Sequence, residues 1–475
     1  MKKKYILPLI LLLLSLFTFY RLCRSGYFSM MDDMHVFRLQ QFDQCFKDGQ
    51  IPCRLISDGG MGYSYPLFNF YSPLSYSIAE GFHLIGFSLI NSLKITFALC
   101  HIIGIFGMYL FASLFWGNLG GFISAVIFLF APYQATDSWV RGAIAESLAI
   151  NIIPWVFYFL TKFIKNLKLK ITNWILLTFS LTTLLLSHNL ISLAIAPVLF
   201  FYSLFLLIKN KNLNLKSLFT LSVPVLSSLG LSAFFILPAI FEKNLVTVDT
   251  MTQGYFQYII HFATFNQLFI SRFWGYGASL WGPVDDMAFS LGLIQWVIPL
   301  IVVIFIFFKK IFKKNSLPKQ TNFIFFFFFV FLFSIFLTHN KSTFIWQALP
   351  FMAYFQFPWR FLSIAIFAAS FISGSIILFL NKKIQKIALI FITAITIILN
   401  ISYFKEDVWY SNLTDQQKLS TENILAQSGA GLKDYWPKYS QNFPTSFAPN
   451  SPIVTQGKVD FIKYFKKSNY SQGYF

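Results

Sequence analysis

The sequence predicts an all-α polytopic membrane protein, and three observations carry that prediction. Only 12% of the 475 residues are charged, about half the share found in a soluble domain. Hydrophobic residues make up 56%, and 62 Phe and 22 Tyr need a dry environment. Apolar stretches recur along the chain to about residue 403, with lysines gathered in the gaps between them. Disordered, collagen-like, disulfide-scaffold and soluble multidomain classes are excluded by this composition. A net charge of +19 would indicate a nucleic-acid partner in a soluble chain. Here about half of the 37 basic residues are lysines between apolar stretches, so the charge is a topology signal and no nucleic-acid partner is expected.

A helix needs about 20 apolar residues to cross a bilayer. Eleven stretches meet this approximately: 5–22, 95–115, 119–133, 143–163, 171–187, 189–208, 217–240, 288–308, 321–338, 360–380 and 385–403. The run 171–208 is too long for one span and is divided at Ser187-His188-Asn189. The lysine groups are Lys2, Lys3 and Lys4; Lys162, Lys165, Lys168 and Lys170; Lys209, Lys211 and Lys216; Lys309, Lys310, Lys313, Lys314 and Lys319; and Lys382, Lys383 and Lys386. With eleven spans all five groups fall on one side, which the positive-inside rule makes cytoplasmic. The expectation is a multi-pass protein of the cytoplasmic (inner) membrane, with its N-terminus inside and its C-terminus outside. Pro73–Ile90 is apolar but carries Glu80 and His83; as a span it would turn every later lysine loop outward, so it is read as interfacial or re-entrant. The first stretch is read as an uncleaved anchor, because Tyr20-Arg21-Leu22-Cys23 offers no clear small-residue cleavage site.

The chemistry then lies outside. Residues 1–404 form the membrane domain, residues 23–94 its long first outer loop, and 405–475 a short polar tail read as a loosely ordered appendage, with strands possible near Ile453–Phe461. Within the first loop, Val36, Leu39, Phe42 and Phe46 share a face at helical spacing. Asp32, His35 and Arg38 are successive i,i+3 neighbours of the same helix, and Asp32 or Asp33 would cap it. Next comes a Gly- and Tyr-rich run from Asp58 to Pro73 containing Tyr63, Tyr65 and Asn69, suited to a sugar face or to an interfacial aromatic belt. Asp137, Arg141 and Glu146 lie close together, either as a structural ion pair or in contact with substrate, and an acid at membrane depth normally has a partner. His188, a lone histidine, fits a structural role or a ligand role, and Arg360 can snorkel or clamp a lipid-linked phosphate. Cys45 and Cys53 are positioned for a bridge in an oxidising compartment. No nucleotide-binding or metalloprotease motif occurs.

Five motifs in order carry a family resemblance. They are Asp32-Asp33-Met34-His35, Gly62 to Pro73, Ala131-Pro132-Tyr133 to Glu146, Ser187-His188-Asn189, and Phe357-Pro358-Trp359-Arg360-Phe361. The chain resembles the bacterial membrane proteins labelled "6-pyruvoyl-tetrahydropterin synthase-related", from the first span to about residue 405. Nothing in it looks like the histidine metal site of a soluble pterin synthase. The family's architecture is similar to that of GT-C glycosyltransferases, bundles of about eleven spans with a long first outer loop carrying amphipathic helices. The resemblance implies transfer, with inversion, of a sugar from a polyprenyl-phosphate donor to a glycan, lipid or protein acceptor outside the membrane. Asp32 or Asp33 would then be the general base, and Arg141, Arg360 and Arg38 would neutralise the departing phosphate. Tyr63, Tyr65 and Asn69 would line the pocket, with His35, Asp137, Glu146 and His188 near the substrate. A divalent metal is used by some members of the wider superfamily; Asp32, Asp33 and His35 would be its ligands here, and no cofactor is certain. Two other functions fit the residues: a transporter or flippase of lipid-linked envelope precursors relaying through Glu146, Arg141 and His188, and a non-catalytic envelope scaffold.

Overall fold

The apolar stretches fall mostly on helix, with 288–292 outside it, in the computed structural model, which describes residues 5–474 except 168–170, 283, 285, 313–316, 430–433, 441, 450–462 and 470. Among the described residues, eight helices are long and apolar enough to cross a membrane, or nine counting one bent pair. Leu89–Leu129 accommodates two expected stretches in one 41-residue element that leaves helical geometry at Gly117, φ 70° and ψ 178°. That region of backbone space is open essentially to glycine alone. Ile171–Ser187 has 17 residues and is shorter than the other spans. The expected span 217–240 is bent: Leu215–Leu231 and Ala233–Phe241 meet at 74°. Gly230 and Ser232 flank the break, the kind of small-residue pair at which helices kink.

Water gives no driving force between helices inside a bilayer, so close packing must hold the bundle. Leu362–Gly374 is buried along its whole length and forms the centre. Phe371 and Phe367 meet Phe111, Phe157 and Phe327 from three surrounding helices at ring-centroid distances of 4.5–5.9 Å. Aromatic pairs of this geometry each contribute roughly 0.5–1.5 kcal/mol beyond their burial. Gly120 and Gly374 let two backbones touch: a Cβ on Gly374 would sit 2.3 Å from the Gly120 carbonyl oxygen.

The bundle has two chemically different ends. Lys165 lies over Phe115, Lys209 over Phe323 and Lys309 near Phe379, and Lys209 also donates to the Lys319 carbonyl at 3.1 Å. These lysines lie at the end that carries Gly117. Lys2, Lys3, Lys4, Lys168, Lys170, Lys313 and Lys314 lie outside the described residues, as do Ile453–Phe461. The opposite end carries the first loop. Pro73–Ile90 contains an 11-residue helix, Leu74–Leu84, too short to span. His35–Lys47 is helical as expected, with Val36, Leu39 and Phe42 buried and Phe46 at the exposed edge. The expected aspartate cap is not made. The N-cap is Met34 without a side-chain bond, and Asp32 lies two residues before it with its backbone N–H donating to the Arg141 carbonyl at 2.9 Å. Cys45 and Cys53 form a disulfide.

The C-terminal segment is no loose appendage where it is described. Trp409–Tyr410 pairs antiparallel with Tyr27–Phe28. Asp415 accepts from the Leu89 and Ile90 N–H groups at 2.7 and 3.0 Å, satisfying orphan donors at the start of the longest helix. Glu406 pairs with Arg21 and Arg24 beside the first span.

Replacing Gly117 by Ala should cost about 1–3 kcal/mol, the usual penalty for forcing a side chain into this backbone region. Gly230→Ala, where an added Cβ meets nothing within 4 Å, should be near neutral. Thermal midpoints of the purified variants in one detergent check the contrast.

Candidate functional site

A lone carboxylate in an apolar bundle must find cations, and Glu146 finds two. Its Oε2 lies 2.9 Å from Arg141 Nη1 and 3.2 Å from Arg360 Nε. Its Oε1 accepts from the Tyr133 hydroxyl at 2.8 Å. His188 Nε2 stands 4.0 Å away, while its Nδ1 accepts from the Ile191 N–H and caps the helix Asn189–Lys209. Arg141 is shared with Asp137 in a second ion pair. Arg360 Nη1 donates to the Phe355 carbonyl at 2.7 Å and to Gln356 Oε1 at 3.2 Å. Glu146, Asp137, Arg141 and Arg360 are all buried, so the two acids act as counterions that hold two guanidinium groups side by side.

The turn that presents Arg141 is irregular. Thr136–Arg141 is one turn of π-helix, a form that often marks functional positions, and Gly142 follows in the left-handed region at φ 68°. A Cβ there would strike Met30 Sδ at 2.3 Å. His35 fastens this turn to the first loop: its Nε2–H donates to the Gly142 carbonyl, so Nδ1 accepts from the Tyr76 hydroxyl at 2.8 Å. Burial, then the charge of Arg38, lowers the His35 pKa to about 4, and the ring stays neutral near pH 7. Together with the Asp32 N–H bond to the Arg141 carbonyl, this sets Asp32 beside Arg141.

A cavity of about 320 Å³ opens in front of these groups. Asp32, Arg38, Tyr65, Arg141 and Arg360 line it, five of the residues expected from sequence. Arg38 lies 4.6 Å from the Tyr71 ring centroid, and its Nε and Nη1 are buried without a hydrogen-bond partner. Trp359 carries Arg141 on its face at 4.5 Å and stacks on Phe357 at 4.8 Å.

The other expected residues lie elsewhere. Asp137, Glu146 and His188 are behind the arginines and do not line the cavity. Asp33 pairs with Lys418 of the C-terminal segment; burial raises its carboxyl pKa, and Lys418 offsets only part of that rise. Tyr63 is half exposed. Asn69 donates to Glu242 Oε2 at 2.9 Å. Asp32, Asp33 and His35 do not fit a metal: both His35 nitrogens are bonded, Asp33 is paired, and among the described residues no three such groups converge. Residues not anticipated also line the cavity. Trp359 and Gln356 sit in or beside the motif around Arg360, while Gln427, Asp434 and Tyr435 come from the tail, where no sequence pattern marks them.

Glu146→Ala leaves two buried guanidinium groups without their shared counterion. Removing one partner of a buried pair costs about 3–5 kcal/mol, so the variant should show a strongly lowered thermal midpoint or fail to accumulate in membranes. A midpoint equal to wild type would show that the cluster is solvated.

Comparison with known proteins gives three findings. The chain is 25% identical over 328 residues to an uncharacterized protein of Lactococcus lactis subsp. cremoris (strain MG1363), a match covering 66% of this chain and 51% of that protein. The chain thus spans about half the length of that relative. It is also similar to the crystal structure of ArnT from Cupriavidus metallidurans bound to undecaprenyl phosphate, with 13% identity, a TM-score of 0.44, and coverage of 83% of this chain and 64% of that one. The family described as "6-pyruvoyl-tetrahydropterin synthase related domain; membrane protein" matches residues 68–406, and the chain belongs to that family.

Proposed function

We propose that the protein is a GT-C-like membrane glycosyltransferase that moves a sugar from a polyprenyl-phosphate donor to an acceptor hydroxyl at the outer face of the cytoplasmic membrane. The observation that carries this reading is one cavity lined by the guanidinium groups of Arg38, Arg141 and Arg360 and by two carboxylates, Asp32 and Asp434, of which Asp32 is held beside Arg141. Arg141 and Arg360 have carboxylate partners, whereas Arg38 makes no ion pair among the described residues; its Nε and Nη1 are buried without a well-formed hydrogen bond, with the neutral Tyr76 hydroxyl beside the guanidinium. Such donors are costly to leave unmet, and an incoming phosphate oxygen would meet them.

Each group then has a chemical task. Asp32 takes the proton of the acceptor hydroxyl as its oxygen attacks the anomeric carbon. The bond from that carbon to the phosphate oxygen breaks, inversion follows from attack opposite the leaving group, and polyprenyl phosphate departs. Charge grows on the phosphate in that step, and arginines fixed in place beforehand stabilise it. Asp32 is the better base of the two aspartates because Asp33 is tied to Lys418. Glu146, held by two arginines and Tyr133, is poorly placed for the proton relay a transporter would need. The lysine-rich end is assigned to the cytoplasm by the positive-inside rule, which puts the cavity and the C-terminus outside, and the Cys45–Cys53 disulfide suits that oxidising side.

Asp32→Asn should fold normally and lose roughly 10²–10⁴-fold in transfer, the usual share of a general base. Asp33→Asn should keep most of the activity. The check is mass spectrometry of envelope glycans and glycolipids from a strain lacking its own copy and complemented with each variant. A wild-type product profile with Asp32→Asn would remove Asp32 as the base.

A further inference from the structure

The cavity has two unlike walls. Its floor presents donors, the guanidinium groups of Arg38, Arg141 and Arg360. Its roof comes from the C-terminal segment, which contributes Gln427, Asp434 and Tyr435 to the lining, with Asp434 close enough to Arg38 to feel its charge. Gln427 Oε1 is buried and has no hydrogen-bond partner. A buried acceptor left unmet costs roughly 1–3 kcal/mol, which a ligand donor would recover. Asp434 forms no ion pair among the described residues and repels a phosphate. An anion therefore settles on the floor, and the roof suits a neutral or cationic group rich in N–H or O–H donors.

The roof is also rigid. Tyr435 N–H donates to the Tyr65 hydroxyl at 2.8 Å, and its ring stacks on Phe70 at 4.9 Å. Met61 N–H donates to the Ser428 carbonyl at 3.1 Å, and Thr247 N–H to the Trp436 carbonyl at 2.9 Å. These bonds fix acceptors and aromatic surface before any ligand arrives, which reduces the ordering cost of binding.

We propose that Gln427, Asp434 and Tyr435 form a recognition subsite for a sugar ring, with the two acceptors binding its hydroxyl or amino groups and the tyrosine packing on its apolar face. The subsite deepens the glycosyl-transfer reading and rests on it for the phosphate below. The ring belongs either to the donor lipid or to the acceptor, and one set of titrations separates the two.

Full-length protein in nanodiscs is titrated with bare polyprenyl phosphate, with polyprenyl phosphate carrying a hexose, and with methyl glycosides of neutral and amino sugars at saturating bare lipid, following tryptophan fluorescence. The wild type should bind at least one sugar probe, and the Q427A/D434N variant should bind it about tenfold more weakly, a difference of about 1.4 kcal/mol. Affinity for bare polyprenyl phosphate should be retained or rise, because the variant loses the repelling Asp434 carboxylate, and the thermal midpoint should stay unchanged, which controls for folding. Loss confined to the glycosylated lipid assigns the subsite to the donor sugar; loss confined to the methyl glycosides assigns it to the acceptor. Unchanged sugar binding in the variant, or no sugar binding by the wild type, overturns the subsite while lipid-phosphate binding keeps the transferase reading alive. Roof-dependent glycoside binding without any lipid-phosphate affinity would instead keep the subsite and sink the polyprenyl-phosphate donor.

Discussion

The site depends on one buried carboxylate with two cations. Glu146 sits one turn into a helix of the bundle, and Arg141 and Arg360 reach it from separate parts of the chain. Two guanidinium groups at this spacing would repel each other in a medium of low dielectric. Glu146 and Asp137 remove that repulsion, and the irregular turn Thr136–Gly142 presents Arg141 to both of them. The result is a fixed pair of cations at one end of an otherwise apolar bundle.

Around that pair, remote segments complete the cavity. The first loop brings Asp32 and Arg38, anchored through the carbonyls of Arg141 and Gly142. The C-terminal segment crosses the same face and is fastened by the Trp409–Tyr410 strand, by Asp415 at a helix start and by Lys418 on Asp33. Each fastening satisfies a group that would otherwise be unpaired, so the segment's attachment follows from local chemistry as well as from packing.

Much of this was legible in the chain. Apolar length announced the spans, and acids or arginines at span borders announced Asp137, Arg141, Glu146 and Arg360, because an ion near a bilayer needs a reason to be there. The division of labour was not legible. Asp137 and Glu146 have the same appearance in sequence as Asp32, and only their positions behind the arginines make them counterions. The expected cap on His35–Lys47 is absent because the helix starts at His35 and its N-cap position falls on Met34, one residue beyond Asp33. Gln427, Asp434 and Tyr435 were invisible, since about 400 residues separate them from Asp32 and no local pattern ties them to a site. The bend between Leu231 and Ala233 was missed because hydropathy does not register a kink at Gly230 and Ser232.

The proposed transferase holds a lipid-linked phosphate on three arginines with Asp32 beside it. An experimental structure of the protein in nanodiscs with saturating polyprenyl phosphate is the sharpest test. Phosphate density is expected within hydrogen-bonding distance of Arg38, Arg141 and Arg360, with the Asp32 carboxylate facing the side from which an acceptor approaches. A phosphate bound elsewhere, or a cavity that stays empty while the lipid is present, would contradict it.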